Sequence, residues 1–514
     1  MDNAGKDSDR AGTRSFNAGD LIISCEPWVW CLHWNSYPKV CAYCWSEPKE
    51  LYTCSGCKLH RYCDIECQAA DWKQEHKAEC DILKCVADEL ALLHVHDPDT
   101  DTTGVDDFGM MSGSTSSILT QKIARKARLN IMEEIPGHGK LSVEDILNLF
   151  PKLNQHDAVN RRFQRCHPYL YQALSAQSPS PSIPDMAECV TIVHCNAFPI
   201  LKPGRKSRII GTGLFPAVPH GLMIPVCWDS NVTMDFKKRR LFIHATEDIP
   251  VYTGLHDLRY CEMPFNVFTK SRNHRRAQFE EFYGRPCTCC KCTPEYAAEI
   301  DPLKCVTPGC TERLPSDSRC LLACPQCGAL NSNRLRTFQT FLSRYEAIEK
   351  EETCREKSAE EILKAVQLKE VKLLKEIDSA DILHPDAHLR YILAWIEGHK
   401  LVLKGEHEKA WEIFESLVPR VRAIYPRYGF WRAQDLLLAA IPLTVIGRKA
   451  VYAKSTGENS SAINTFLASC QMGFDMAVEA TEIFVKLCGA DSSRVQQARE
   501  CLDELTIQKQ LFDV

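Results

Sequence analysis

Residues 41–80 read CAYCWSEPKELYTCSGCKLHRYCDIECQAADWKQEHKAEC, and this stretch decides how the rest of the chain is read. Cys41 and Cys44, Cys54 and Cys57, Cys63 and Cys67, and His76 and Cys80 form four close pairs. Two or three intervening residues let two donors reach one ion from a tight turn, and His76 and Cys80 stand one helical turn apart on one face. Eight such donors suffice for two closed tetrahedral zinc sites. A closed site keeps no position open for water, so these metals cannot serve hydrolysis or Lewis-acid chemistry. The segment therefore reads as a recognition module folded by its metals.

The chain of 514 residues is too long for one core, since domains usually take about 100–200 residues. A composition of 45% hydrophobic and 25% charged residues is that of an ordinary globular protein. With 62 basic and 67 acidic residues the net charge is only −5, which gives no overall electrostatic case for a nucleic-acid or membrane partner. Residues 1–14 are polar, and no run of 18 apolar residues occurs, so the expectation is a protein that is neither secreted nor membrane-spanning, in the cytoplasm or the nucleus. In such a reducing compartment 28 cysteines point to zinc rather than disulfides.

Working outward, residues 15–34 read as strand and turn around Ala18-Gly19-Asp20. An apolar helical stretch at 82–93 runs into 97–117, whose Asp, Thr, Gly and Ser content predicts a linker, and helical periodicity resumes at Ile118. Between 190 and 260 short β-type runs alternate with Gly and Pro turns. Residues 287–327 form a second cysteine-dense block, and beyond Arg334 apolar residues recur at helical spacing, as at Ile392, Trp395, Ile396, His399 and Leu403. Breaks at His384-Pro385, Tyr425-Pro426 and Gly457 predict stacked helical hairpins of the tetratricopeptide kind, without a clean 34-residue period.

The ligand spacing of residues 41–80 resembles the MYND zinc finger at every donor. In that family the two sites interleave, so the resemblance implies Cys41, Cys44, Cys63 and Cys67 on one zinc and Cys54, Cys57, His76 and Cys80 on the other. MYND fingers bind short proline-containing peptides, and the residues that resemble the peptide groove are Gln68 and Trp72; a core position in the finger is the other reading of Trp72.

Most of the chain resembles the SMYD family of SET and MYND proteins. The resemblance rests on the order of its anchors: Arg14 to Ile22, Cys195-Asn196-Ala197-Phe198, Gly211-Thr212-Gly213-Leu214-Phe215-Pro216, Arg275-Arg276 leading to Tyr283, and Leu383-His384-Pro385-Asp386. It implies an α+β multidomain fold: a split β-rich SET domain with an inserted MYND finger, a post-SET zinc region and a C-terminal all-α, TPR-like domain. The expected boundaries are 1–40 for the N-terminal SET segment, 41–80 for the finger and 81–185 for a helical insert. The SET core follows at 186–270, the post-SET cysteines and zinc knuckles at 271–330 and the helical domain at 331–514.

The family transfers a methyl group from S-adenosylmethionine to protein lysine, a reaction that depends on holding amine and sulfonium in line. Several residues depart from its pattern. The Gly-x-Gly loop is expected ahead of Arg14, where Asp7-Ser8-Asp9 and Ala11-Gly12 hold no such pair. The Asn-His-Ser-Cys motif aligns with Ile224-Pro225-Val226-Cys227, which keeps only the cysteine. Leu255 falls at the catalytic tyrosine position, with Tyr252 and Tyr260 as alternatives in another register. Arg285 replaces the aromatic residue that stacks on adenine, although arginine can stack too. Asn196 is carried over as a cofactor-facing residue, with a turn residue as its other reading. Losing one positioned group usually costs on the order of 10²-fold, and several are missing together.

The later cysteines keep a metal pattern. Cys287, Cys289 and Cys292 supply three donors, and the resemblance implies Cys227 as the fourth ligand of a post-SET zinc; Cys290 is a spare thiol that could exchange with Cys289. Cys305, Cys310, Cys324 and Cys327 resemble two knuckles of one further four-sulfur site, with Cys320 a competing donor. The expected cofactors are two zincs in the finger, one post-SET and a fourth on the ribbon, with a pair of reduced turns without metal as the other reading of the ribbon, while the missing groups count against S-adenosylmethionine.

Three other features carry less. Gly211-x-Gly213 lacks the third glycine and the βαβ setting of a phosphate loop and reads as a turn. Lys237-Lys238-Arg239-Arg240 reads as a solvated hairpin turn, and Cys166-His167 and His194-Cys195 as buried strand positions rather than nucleophiles. The sequence thus predicts a zinc-binding protein that acts through protein partners at the finger and the helical domain, with a working protein-lysine methyltransferase as the alternative.

Overall fold

The computed structural model describes residues 14–512 apart from 34–35, 82, 85–112, 130, 151–188, 190–191, 194–195, 203–207, 220–222, 229, 261–270, 284–285, 294–295, 297–299, 318–322, 353–358, 459 and 491. The readings made for residues 1–13, Cys166-His167, His194-Cys195, Arg285 and Cys320 lie outside the described residues, as does most of the 82–93 helix. The chain forms two compact units, Met1–Ile224 with Met234–Arg259, and Pro225–Thr233 with Tyr260–Val514.

In the first unit, strands from the first 32 residues pair with strands from far along the chain. Strand β1 (Arg14–Phe16) lies antiparallel to β13 (Ile249–Tyr252), and β2 (Leu21–Cys25) to β12 (Arg240–Ala245). Strand β3 (Val29–Leu32) joins a sheet of order β3-β9-β8, with β8 at Phe198–Lys202 and β9 at Arg208–Leu214. The domain is therefore split, and the segment that carries the finger leaves it after β3. Its turns follow local chemistry: Asp20 N–H bonds back to the Asn17 carbonyl with Gly19 at φ 90°, and Lys238 takes φ 57° between residue 237 and β12. The basic run is a hairpin turn as its sequence predicts, and Arg239 and Arg240 pair with Glu26 at 3.2 and 3.1 Å.

Two readings of this unit need correction. Gly211 and Gly213 are not a turn but lie inside β9, paired with Leu32 and Trp30. A Cβ on Gly211 would stand 2.4 Å from the Trp45 ring and 2.6 Å from the Cys31 carbonyl, so the missing side chain makes room for an aromatic ring of the finger. The expected linker 97–117 also ends early, because helix Gly113–Arg128 already spans 113–117. Buried Ile118, Leu119 and Ile123 anchor that helix, and its Ser and Thr residues stand near the N-terminus, where they are well tolerated. The insert is not purely helical either: β6 (Glu133–Ile135) and β7 (Gly139–Leu141) form a hairpin before helix Val143–Asn148, which Ser142 and Asp145 cap reciprocally.

The second unit is helical. Helices Arg272–Tyr283, Ser332–Glu352, Ala359–Ala380, His388–Leu403, His407–Ile424, Phe430–Thr456, Ser461–Cys488 and Ser493–Phe512 follow one another, and from Ser332 onward each packs on the next. The breaks fall where the sequence puts them, with Pro385 and Pro426 between helices and Gly457 closing one at φ 73°. From Ser332 onward, helix lengths from 16 to 28 residues explain the absence of a strict repeat. Phe430–Thr456 alone among the described helices is long and apolar enough to cross a membrane by length and composition, yet 61% of its apolar window is buried in this array. Asp435 on that helix accepts a 2.8 Å hydrogen bond from the Tyr425 hydroxyl, and burial pushes its carboxyl up to about 7.

Residues 225–233, expected in the SET core, belong to the unit of the second cysteine block. The reason is Cys227, which lies among Cys287, Cys289 and Cys292.

Candidate metal centres and peptide surface

The finger is built from two-residue strands and one short helix. Strand β4 (Tyr52–Thr53) pairs with β5 (Arg61–Tyr62), which holds the Cys54 and Cys57 turn against Cys63. Asp64 caps helix Ile65–Asp71 by accepting from Cys67 N–H at 2.7 Å, fixing the backbone at a donor residue. The chain then widens to a π-helix at Trp72–His76, an irregularity that often marks a functional position.

Within this frame the eight donors separate into the two sets that the resemblance implies. The donor atoms of Cys41, Cys44, Cys63 and Cys67 all lie within 4.8 Å of one another, and so do those of Cys54, Cys57, His76 and Cys80. Cys44 Sγ is 3.3 Å from Cys63 Sγ, and His76 Nε2 is 3.3 Å from Cys54 Sγ. Unbridged thiols gathered so tightly around one point are the donor set of a tetrahedral zinc, and no donor remains over for an open position. Burial, followed by the nearby His60, depresses His76 to about 4, so the imidazole is neutral and free to ligate.

A set of outer residues escaped the sequence reading. The His60 ring stacks on His76 with centroids 4.5 Å apart, its Nδ1 is 3.3 Å from Asp71 Oδ2, and the Tyr62 hydroxyl donates to that same oxygen at 2.7 Å. Burial raises the Asp71 carboxyl, but hydrogen bonds from His60 and Tyr62 outweigh it and hold the group below its usual range. These residues pack the His60 ring against the ligand ring of His76, whose Nδ1 is itself buried without a hydrogen-bond partner. The available signal was a His and a Tyr placed between the Cys57 and Cys63 donors.

Trp72 is 42% exposed, so it is not a core residue of the finger; its ring meets His76 edge to face with centroids 5.6 Å apart. Gln68 is half-buried one helical turn earlier, where its carbonyl accepts from Trp72 N–H. Tyr52 and Ile65 are also exposed on the finger.

In the other unit Cys227, Cys287, Cys289 and Cys292 form a fully buried tetrad with Cys227 Sγ 3.1 Å from Cys292 Sγ. The geometry selects Cys289 and leaves Cys290 exposed. Cys305, Cys310, Cys324 and Cys327 make a further tetrad, half open to solvent.

Among the described residues, the positions expected to face S-adenosylmethionine are placed as follows. Ile224 and Val226 donate their N–H groups to the Leu258 and Tyr260 carbonyls, and their side chains offer no hydrogen bond. Asn196 is 1% exposed, its Nδ2 donates to the Ile192 carbonyl at 3.0 Å, and its Oδ1 is buried without a partner. Leu255 lies in a short 3₁₀ turn, Tyr252 packs edge-on to Phe16 at 5.2 Å, and Tyr260 is fully buried.

Comparison with known proteins gives the class first: the MYND finger family matches residues 41–80, so this is a MYND zinc-finger protein. The human N-lysine methyltransferase SMYD2 is 26% identical over 299 residues, which are 56% of this chain and 58% of the relative. The Xenopus laevis SMYD2-A is 25% identical over 311 residues, 59% and 62% of the two chains, and the human histone-lysine N-methyltransferase SMYD3 is 24% identical over 279 residues, 53% and 56%. The matched region thus spans under two thirds of each relative. Together with the split sheet, the finger and the helical region, these likenesses support a zinc-binding SET and MYND protein that is similar to the SMYD family.

Proposed function

We propose that this protein works by holding partner peptides on its MYND finger, with the SET strands serving as a frame rather than as a methyl-transfer centre. The observation that carries this reading is Trp72, a large aromatic residue that stays exposed beside a metal-ordered helix where the sequence also supplies Gln68. An exposed aromatic ring with a polar neighbour suits a short proline-containing peptide, because a preformed extended ligand loses little entropy on docking. The helical domain is a second partner surface in this reading. Trp72→Ala should weaken peptide binding by about 2 kcal/mol or more, roughly 30-fold, as for other aromatic anchors. The variant should keep both finger zincs. Unchanged affinity in a fluorescence-anisotropy titration would remove Trp72 from the site.

A second reading is favoured by the activity of the relatives, which are lysine methyltransferases. A working enzyme of that kind needs cofactor contacts other than those of the family, since Ile224 and Val226 supply none and Leu255 brings no hydroxyl. Calorimetric titration of the full chain with S-adenosylmethionine decides between them. The expected result is no heat at micromolar concentrations; saturable micromolar binding would favour the enzyme.

A further inference from the structure

We infer that Cys305, Cys310, Cys324 and Cys327 hold a fourth structural zinc, which clamps the start of the helical array. It is independent of the finger and needs none of the residues of the peptide-binding reading. The four sulfurs lie within 4.8 Å of one another, with Cys305 and Cys327 at 3.4 Å and Cys310 and Cys324 at 3.8 Å. None is in a disulfide. Four thiolates packed this closely repel one another unless a cation lies between them, and a tetrahedral four-sulfur set selects zinc over harder divalent metals.

The backbone supplies a second, independent observation. Gly328 takes φ 74° directly after Cys327, and Gly309 takes φ 78° directly before Cys310. Each knuckle thus bends through a left-handed glycine, a turn tight enough to aim its two sulfurs at one point.

What the metal would hold is also visible. Strands β15 (Leu303–Lys304) and β16 (Arg313–Leu314) form a hairpin between the donors, and Leu303 and Leu314 are buried in the helical core. Lys304 N–H donates to the Ile382 carbonyl and His384 N–H to the Pro302 carbonyl, at 2.8 and 2.9 Å, so the knuckle pairs with the connection between two successive helices. Val306 N–H donates at 2.8 Å to Oδ1 of fully buried Asn331, the residue just before helix Ser332–Glu352. A zinc here would tie the ends of three helices to one loop. Unlike the Cys227 tetrad it has an open flank, with Cys327 exposed and Cys310 half-buried, so it is the site that a chelator reaches first.

The test uses the full chain purified with zinc. Native mass spectrometry should count four zincs, and Cys324→Ser should count three, with deuterium uptake rising in residues 303–335 and 381–388 but not in 41–80. Iodoacetamide footprinting of the parent supplies a measurement that needs no variant. Exposed Cys290 should alkylate at once, whereas Cys327, also exposed, should react only after a chelator is added. Three zincs in the parent, a fourth metal that proves to be iron, or Cys327 reacting as fast as Cys290 overturns the assignment.

Discussion

Replacing Cys57 by Ser should strip both zincs from the finger and unfold it, while the Cys227 tetrad keeps its metal. Cys57 is fully buried in a set with no spare donor, and a serine hydroxyl stays protonated where a thiolate is needed. Structural zinc is worth about 10–16 kcal/mol of apparent folding free energy. That matches or exceeds the ~5–15 kcal/mol by which whole domains are stable, so two-residue strands and a seven-residue helix cannot persist without it. Both ions should go because the sites interleave: β5 stands between Cys57 and Cys63, donors to different metals. The His60, Tyr62 and Asp71 contacts around His76 would be lost with them. Zinc analysis should find two fewer ions per chain, and limited proteolysis should cut within 41–80. Loss of a single ion with peptide binding intact would show that the two sites fold separately.

The metal centres were legible because cysteine spacing is a local property. A pair two or three residues apart must turn tightly whatever surrounds it, so the finger donors, Cys287, Cys289 and Cys292, and the ribbon cysteines could be picked out from spacing, whereas Cys227, 60 residues before Cys287, was reached only through the family resemblance. Helix breaks at Pro385, Pro426 and Gly457 were legible for the same reason: they act on their own backbone. What stayed hidden depends on contacts made across long stretches of chain. Gly211 reads as a turn until β9 is found beside β3 with Trp45 pressed on it. Residues 113–117 have a linker's composition and are helical because the apolar face that starts at Ile118 is buried. His60 and Asp71 are ordinary polar letters until the fold stacks His60 on a zinc ligand and sets Asp71 against the His60 ring nitrogen.

Lys122 is the most consequential of these hidden residues, and Lys122→Met should cost about 3–5 kcal/mol, the usual result of leaving a buried charge without its partner. Its ammonium group is 2.8 Å from Glu75 and 3.2 Å from Glu79, and 4.5 Å above the Trp30 ring. Burial works to lower the Lys122 pKa, but the Glu79 and Glu75 carboxylates outweigh it and raise the group above its usual range. The two acids respond differently. Glu75, 25% exposed at its side chain, is held below the usual carboxylate range by Lys122 despite burial, whereas Glu79, at 6%, remains above it because burial dominates. Without Lys122, Glu79 must take up a proton or pull the finger helix toward water. That gives the pH dependence its sign. A carboxyl raised in the folded state penalises folding above its unfolded pKa of about 4.3, so the deficit of the variant should be largest near neutral pH and shrink as pH falls toward 5 and below. Glu79→Gln added to Lys122→Met should recover part of the loss by removing the unpaired charge. Urea unfolding of the parent and both variants at pH 7.5 and 5 measures each quantity. A deficit that does not change with pH, or a double variant no better than the single one, would mean that Lys122 stabilises through its stem packed on Trp30 and not through the ion triad.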